Sequence, residues 1–252
     1  MIAPGPENPT CTVVIPTFNE RHNLPVLVEQ LMKIPGASVL VVDDASPDGT
    51  GQVAEQLRST FGDRVHVIHR TGRGGLGSAY VAGMQWALAH GASDAIVQMD
   101  ADLSHDARYL PDLLSAIRDA DLAIGSRYVR GGRVSDWPMS RQLLSRFANR
   151  YVHLITRLPV EDCTAGYRCW RREALAQMPL QTLVSNGYAF QVEMTWEAVR
   201  RGLSVTEVPI VFFERKLGRS KLTWAMVLES VLLPWRLRRQ GASTRDSRGF
   251  GP

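Results

Sequence analysis

Short β-branched runs alternate with longer amphipathic stretches through the first two hundred residues. The runs CTVVIP (11–16), SVLVVD (38–43), RVHVIH (64–69), DAIVQM (94–99) and DLAIG (121–125) read as strands. Between the first two, Glu20 to Lys33 carries Leu24, Leu27, Val28 and Leu31 at helical spacing, with Pro25 tolerable near the first turn. The same spacing predicts helices over about 50–61, 76–90, 108–119 and 140–157. Strand and helix in alternation predict an α/β domain with a mostly parallel sheet, so ligands should collect at the carboxyl ends of the strands. Beyond residue 160 the pattern loosens. DCTAGYRCWRR (162–172) reads as a strand and turn, 188–201 as a helix and SVTEVPIVFF (204–213) as a strand.

Residues 222–239, LTWAMVLESVLLPWRLRR, are apolar with a basic end, but Glu229, Ser230 and Pro234 interrupt them before a bilayer-spanning length of ~20 residues. Two readings stand: a core helix, or an interfacial helix with Trp224 and Trp235 at headgroup level and Arg236, Arg238 and Arg239 toward anionic lipid. The expected organisation is a flexible terminus over 1–10, one domain over 11–221, an amphipathic helix over 222–239 and a disordered tail over 240–252.

Composition adds limits. With 252 residues, 44% hydrophobic and 21% charged, the chain is ordinary globular protein and fits one generous domain. MIAPGPENP has neither a basic nor an apolar segment of a secretory leader, which points to the cytosol. Cys11, Cys163 and Cys169 are an odd set whose closest pair is six apart, so they read as reduced and structural. The net charge is only +4, yet between Arg127 and Arg150 six arginines (127, 130, 133, 141, 146, 150) face one acid, Asp136, giving +5. An anionic partner is expected there. Nucleic acid is not that partner, because the parallel α/β pattern matches no reader motif.

Candidate chemistry starts after the first strand, which runs into PTFNER without any glycine and so argues against a dinucleotide site. Phe18 and Glu20 suit a nucleobase, with Asp44 on its sugar or ring edge. Equally, Phe18 fits a core position, and Asp43 and Asp48 fit turns or helix caps. In MDADLSH the side chains of Asp100 and Asp102 lie on one side of an extended backbone, and two hard oxygens with no thiolate nearby invite Mg²⁺ or Mn²⁺ bridging to phosphates. The competing reading is a solvated loop with a helix N-cap at Asp106. RTGRGGLGSAY (70–80) is a phosphate cradle or simply a tight glycine turn.

Taken in order, IPTFNE, VVDDASPDGT, GRGGLGSAY, MDADLSH, IGSRYVRGG with a following WP, and FERKLGRSKL resemble the motifs of family 2 glycosyltransferases, and more narrowly of polyprenol-phosphate (dolichol-phosphate) mannose synthases. The resemblance runs from about Thr12 to Leu237. It implies a GT-A fold, a metal, and inverting transfer of mannose from GDP-mannose to a polyprenyl monophosphate, by a protein peripheral on the cytoplasmic face of a membrane. Matched by position, Pro16, Phe18, Glu20, Val42 and Asp44 hold the guanosine. Asp100, Ala101 and Asp102 meet the diphosphate, with Asp100, Asp102 and Ser104 around the metal. Arg215 and Lys221 grip the same diphosphate, and Arg127, Arg141 and Ser145 receive the acceptor phosphate. Asp102, Arg127, Arg215 and Lys221 form the implied catalytic set. Phe18 stands where the family often has Tyr, and Ser104 where it can have Gln.

A phosphate monoester has a second pKa near ~6 and is already a nucleophile at neutral pH, so the reaction needs no histidine base. His22, His66, His69, His90 and His153 lie in no motif, and His105 reads as a loop residue. The alternatives are transfer of glucose from UDP-glucose and a non-catalytic membrane-surface adaptor. The lipid is reached either through the 222–239 helix or through an integral membrane partner.

Overall fold

The structure is a computed structural model that describes residues 9–183, 185, 187–214 and 231–240. In chain order its strands are β1 (Cys11–Thr17), β2 (Ala37–Asp43), β3 (Val65–His69), β4 (Ala95–Gln98), β5 (Leu122–Ser126), β6 (Arg133–Val134), β7 (Arg168–Arg171), β8 (Val205–Pro209) and β9 (Val211–Phe212). The helices are α1 (Asn23–Leu31), α2 (Thr50–Phe61), α3 (Leu76–His90), α4 (Leu110–Ala116), α5 (Met139–Thr156), α6 (Arg172–Ala176) and α7 (Gly187–Arg200). Seven strands form one sheet in the order β3-β2-β1-β4-β7-β5-β8. The chain leaves β1 outward through β2 and β3, then returns to pair β4 on the other side of β1. That reversal opens a crevice at the carboxyl ends of β1 and β4.

Two-residue periodicity builds two cores, one on each face. Val13, Ile15, Val39, Val41 and Val97 pack with Leu24 and Leu27 of α1, Ala54 of α2 and Leu110 of α4. Val14, Leu40, Val42 and Ile96 pack with Tyr80 and Met84 of α3 and Phe190 of α7. Truncating any such buried leucine to alanine costs about 2–5 kcal/mol. Helix α3 lies so close to the sheet that a Cβ on Gly83 would run into Val14 Cγ1, so glycine is required there.

The expected elements appear with four differences. Helix α1 begins at Asn23, and the helix expected over 108–119 is a 3₁₀ turn at Ala107–Tyr109 followed by the shorter α4. Strand β7, inside the expected strand-and-turn, runs antiparallel to both β4 and β5. The single strand expected over 204–213 is two. Pro209 cannot donate to a ladder, the chain turns at buried Ile210, and β9 pairs with β6 in a separate two-stranded sheet. The three cysteines are free and buried, and burial pushes the Cys11 and Cys163 thiols up to about 12.

Of the expected 222–239 helix, 222–230 lies outside the described residues, as do Arg215, Lys221, most of the N-terminal segment and nearly all of the tail. Residues 231–240 are helical. Leu233 and Leu237 are buried in the second core, as the core-helix reading expects, while Val231, Leu232 and Trp235 are exposed; Arg236 and Arg238, expected to face lipid, bond Glu193 and the Ile155 carbonyl at 3.4 Å. Among the described residues no helix is long and apolar enough to cross a membrane.

Candidate active site

A cavity of about 280 Å³ opens at the carboxyl ends of the central strands. Ten of the residues singled out in the sequence line it: Pro16, Phe18, Glu20, Asp44, Asp100, Ala101, Asp102, Ser104, Arg127 and Arg141. Val42 and Ser145 do not. The Val42 side chain is buried beneath α3 with Val14 and Leu40, and the Ser145 hydroxyl accepts from Tyr128 Oη at 2.6 Å.

On the β1–β2 side, the guanidinium of Arg73 lies 4.4 Å from the Phe18 ring centroid, and Glu20 accepts from Asn23 Nδ2 at 2.8 Å. Asp44 accepts from Arg70 Nη1 at 2.6 Å and from the Gly74 amide at 3.1 Å. It therefore pins the glycine-rich loop, and Gly75, at a φ of 89°, launches α3 with its first residues against the cavity. Asp43 and Asp48 are the turn residues their alternative reading made them: Asp43 accepts from Thr17 and Ser46, Asp48 from Thr50 and the Arg21 amide.

Beyond β4 the chain reverses sharply, with Leu103 in the left-handed region at a φ of 63°. The reversal brings the Ser104 amide (3.1 Å) and hydroxyl (2.6 Å) back onto Asp102 Oδ1. Asp102 is only 5% exposed, so the solvated-loop reading fails, although Asp106 does cap the next turn by accepting from the Arg108 amide. Asp100 Oδ1 accepts from Tyr80 Oη at 2.8 Å, and the Asp100 amide donates to His105 Nδ1 at 3.1 Å. That bond assigns the neutral tautomer with its proton on Nε2. Burial holds the His105 pKa below its ordinary value of 6.5, against the pull of Asp100 and Asp102. His105 is thus a loop residue, as expected, but a buried one that walls the cavity, stacked on Tyr167 at 5.2 Å.

These groups fit a divalent cation. A Cβ on Gly166 would sit 3.4 Å from Asp100 Oδ2, so glycine keeps the space beside that oxygen open. No group of three His, Cys, Asp or Glu converges among the described residues. Two carboxylates with phosphate and water as remaining ligands is the usual set for Mg²⁺ and related ions.

At the β5 end, Arg127 is buried and already paired. Its Nε and Nη2 meet the two oxygens of Asp162 at 2.7 and 2.6 Å, and Nη2 also donates to Thr164 Oγ1. Burial alone would lower its pKa, but the Asp162 charge holds it above the ordinary value. Part of the arginine-rich segment's expected anion is therefore inside the protein. Arg141 is 45% exposed, bonds Glu214 at 2.8 Å and lies 3.9 Å over the Trp137 ring. Sequence reasoning quoted Trp137 in a motif without giving it a role and passed over the buried Arg168, which bonds Cys163 O, Ala165 O and Thr195 Oγ1 and fixes the wall formed by 164–166. Burial pushes the Arg168 pKa down to about 10. An arginine directly before the apolar pair in RCWR was the available signal.

Residues 12–178 match the model of the family described as Glycosyl transferase family 2. The chain belongs to that family. This family 2 glycosyltransferase is 49% identical over 230 residues to the polyprenol monophosphomannose synthase of Mycolicibacterium smegmatis, covering 90% of this chain and 86% of the relative. It is 47% identical over 220 residues to the undecaprenyl-phosphate mannosyltransferase of Micrococcus luteus, covering 87% and 90%. Among solved structures, glucosyl-3-phosphoglycerate synthase from Mycobacterium tuberculosis, crystallised with Mn²⁺, UDP-glucose and phosphoglyceric acid, shares the fold at a TM-score of 0.69 and 17% identity over 92% of this chain and 80% of that one. Mannosyl-3-phosphoglycerate synthase from Rubrobacter xylanophilus does so at 0.65 and 17%, over 96% and 76%. The α/β architecture is that of GT-A glycosyltransferases.

One surface of this glycosyltransferase is unlike the rest. Eight of the eleven exposed large apolar side chains among the described residues lie on α5 or on the 231–240 helix. Met139, Leu143, Phe147 and Leu154 form one stripe on α5, with Leu144 beside it, while Asn149, Val152 and Ile155 face inward. Tyr151 Oη donates to Val231 O at 2.8 Å and accepts from Trp235 Nε1 at 2.9 Å, which joins the two apolar faces. Arg146 and Arg150 are exposed on the same helix.

Proposed function

We propose that the chain transfers mannose from GDP-mannose to a polyprenyl monophosphate, with inversion, while resting peripherally on the cytoplasmic face of a membrane. The observation that carries this reading is the position of α5: Arg141 in its first turns lines the cavity, and Leu143, Leu144 and Phe147 just beyond it point outward as bare apolar surface. A phosphate held at the cavity mouth leaves its isoprenoid tail along that stripe. The mannosyltransferase names of both relatives support the same acceptor.

In this reading Phe18, Glu20 and Asp44 receive the guanosine. Asp100 and Asp102 hold Mg²⁺ or Mn²⁺, with Ser104 orienting Asp102 rather than ligating. The ion, when bound, neutralises charge growing on the departing diphosphate. Arg215 and Lys221, from the FERKLGRSKL motif, do the same from their side. Arg141 draws the acceptor phosphate in, while the buried Arg127, its fork held by Asp162, backs that end of the cavity; the phosphate's own oxygen attacks the anomeric carbon without a general base. His105 stays neutral and offers only a donor.

The test is a panel: purified protein, a short polyprenyl phosphate, and radiolabelled GDP-mannose or UDP-glucose, with and without Mg²⁺. Product from GDP-mannose only, and only with metal, is expected. Product from UDP-glucose alone would replace the donor. Vesicle binding without transfer from either would leave the adaptor reading standing.

A further inference from the structure

Four buried side-chain atoms among the described residues lack a hydrogen-bond partner, and two of them, Trp137 Nε1 and Gln191 Nε2, belong to residues that line the cavity. Native interiors leave few such groups, and each calls for a reason. For Gln191 the orientation follows from its neighbours. An indole nitrogen can only donate, and Trp170 Nε1 donates to Gln98 Oε1 at 2.9 Å. The other end of Gln98 is therefore its amide nitrogen, which lies 3.3 Å from Gln191 Oε1. The group that Gln191 has left over is consequently its NH₂, and the buried indole fixes that polarity two side chains away. All three residues are at most 2% exposed.

Gln98 closes β4 and Asp100 follows it two residues later. Phe190, just before Gln191, stacks parallel to Tyr80, whose hydroxyl holds Asp100. Gln191 thus lines the same cavity as the carboxylates and is tied to the strand that leads into them. Ala79, Ala165 and Gly166, which line the same cavity, are small. The nearby Asp100 charge repels a further anion but accepts from hydroxyls, so a neutral donor beside it suits a polyol.

We propose that Gln191 is a specificity-determining residue that donates from Nε2 to a hydroxyl oxygen of the sugar carried by the nucleotide donor. This rests on the reading of the chain as a nucleotide-sugar transferase. Calorimetry with Mg²⁺ would compare GDP with GDP-mannose on wild type, Gln191→Met and Gln191→Glu, the last keeping an acceptor for Gln98 while losing the amide donor. Both variants should bind GDP within about twofold of wild type and GDP-mannose about tenfold more weakly. An unchanged ratio of the two affinities, or an equal fall in both, overturns the proposal. Deoxymannose analogues of GDP-mannose on wild type supply a second reading that needs no variant to fold. Removal of one hydroxyl should reproduce the tenfold loss, and no such hydroxyl would sink the idea. If wild type ignores GDP-mannose but binds UDP-glucose, the donor reading fails, and UDP against UDP-glucose decides the role of Gln191.

Discussion

Changing Leu143 and Phe147 together to serine removes the middle of the apolar stripe on α5. The two side chains are 61% and 69% exposed, so roughly two thirds of each remains to be buried by a lipid surface. Full burial of such a side chain is worth about 1.5–3 kcal/mol, which leaves about 1–2 kcal/mol each and about 2–4 kcal/mol for the pair. That corresponds to about 30- to 1,000-fold in vesicle partitioning. Thermal stability should move by no more than about 0.5 kcal/mol, because neither residue supports the core. Sedimentation with anionic phospholipid vesicles measures the first quantity and thermal unfolding the second. Activity should fall on long polyprenyl phosphates in vesicles and persist on a water-soluble short-chain acceptor. Arg146→Gln with Arg150→Gln should cost about 1 kcal/mol per charge on anionic vesicles and little on neutral ones, an effect that salt erases. Undiminished vesicle binding by the serine double variant would refute the assignment of this face to the membrane.

Asp102→Asn should abolish turnover at a stability cost of about 1 kcal/mol, since the buried carboxylate also anchors Ser104; EDTA should mimic it reversibly, and a variant that still turns over would remove Asp102 from the site. Arg127→Ala strands Asp162 in the interior and should lower the unfolding free energy by about 3–5 kcal/mol, whereas half-exposed Arg141→Ala should leave stability intact and raise only the acceptor KM. Equal melting of the two variants would contradict that division. His105 has its folded pKa depressed by burial, so below the unfolded value of 6.5 the unfolded chain takes up a proton that the folded one refuses. Stability should therefore be level above about pH 6.5 and fall as pH drops toward the folded pKa, with a shallower fall in His105→Gln; urea midpoints across pH would show identical slopes if the idea is wrong.

Strands β1 to β5 were legible because five β-branched runs stand apart from helical stripes, and the paired aspartates because D-x-D at a strand end is a local pattern. What escaped depends on distance or direction. Asp162 meets Arg127 across 35 residues, so the arginine looked available for a ligand when its fork is engaged. RCWR reads charged-apolar-apolar-charged whichever way it runs, which hid the antiparallel β7. Helix α5 carries two apolar stripes, one inward through Val152 and Ile155 and one outward through Leu143 and Phe147, and periodicity cannot say which stripe meets the core. Gln191 lies in no quoted motif, and His105 closes MDADLSH without a role that the motif assigns; only burial in the cavity wall reveals them.

Strand β7 stands between β4, which ends at the aspartates, and β5, which ends at Arg127. Two steps across a sheet span about 10 Å, so the gap between the aspartate end and the Arg127 end, which the proposed function assigns to nucleotide and acceptor, is a fixed ruler cut from backbone. Because β7 runs the opposite way, its entrance rises between the two halves and supplies the partition at 164–166. Under the proposed function, substitutions on the β5 side should change which phosphate is admitted without altering how the sugar nucleotide sits, leaving the two specificities free to diverge separately on one frame.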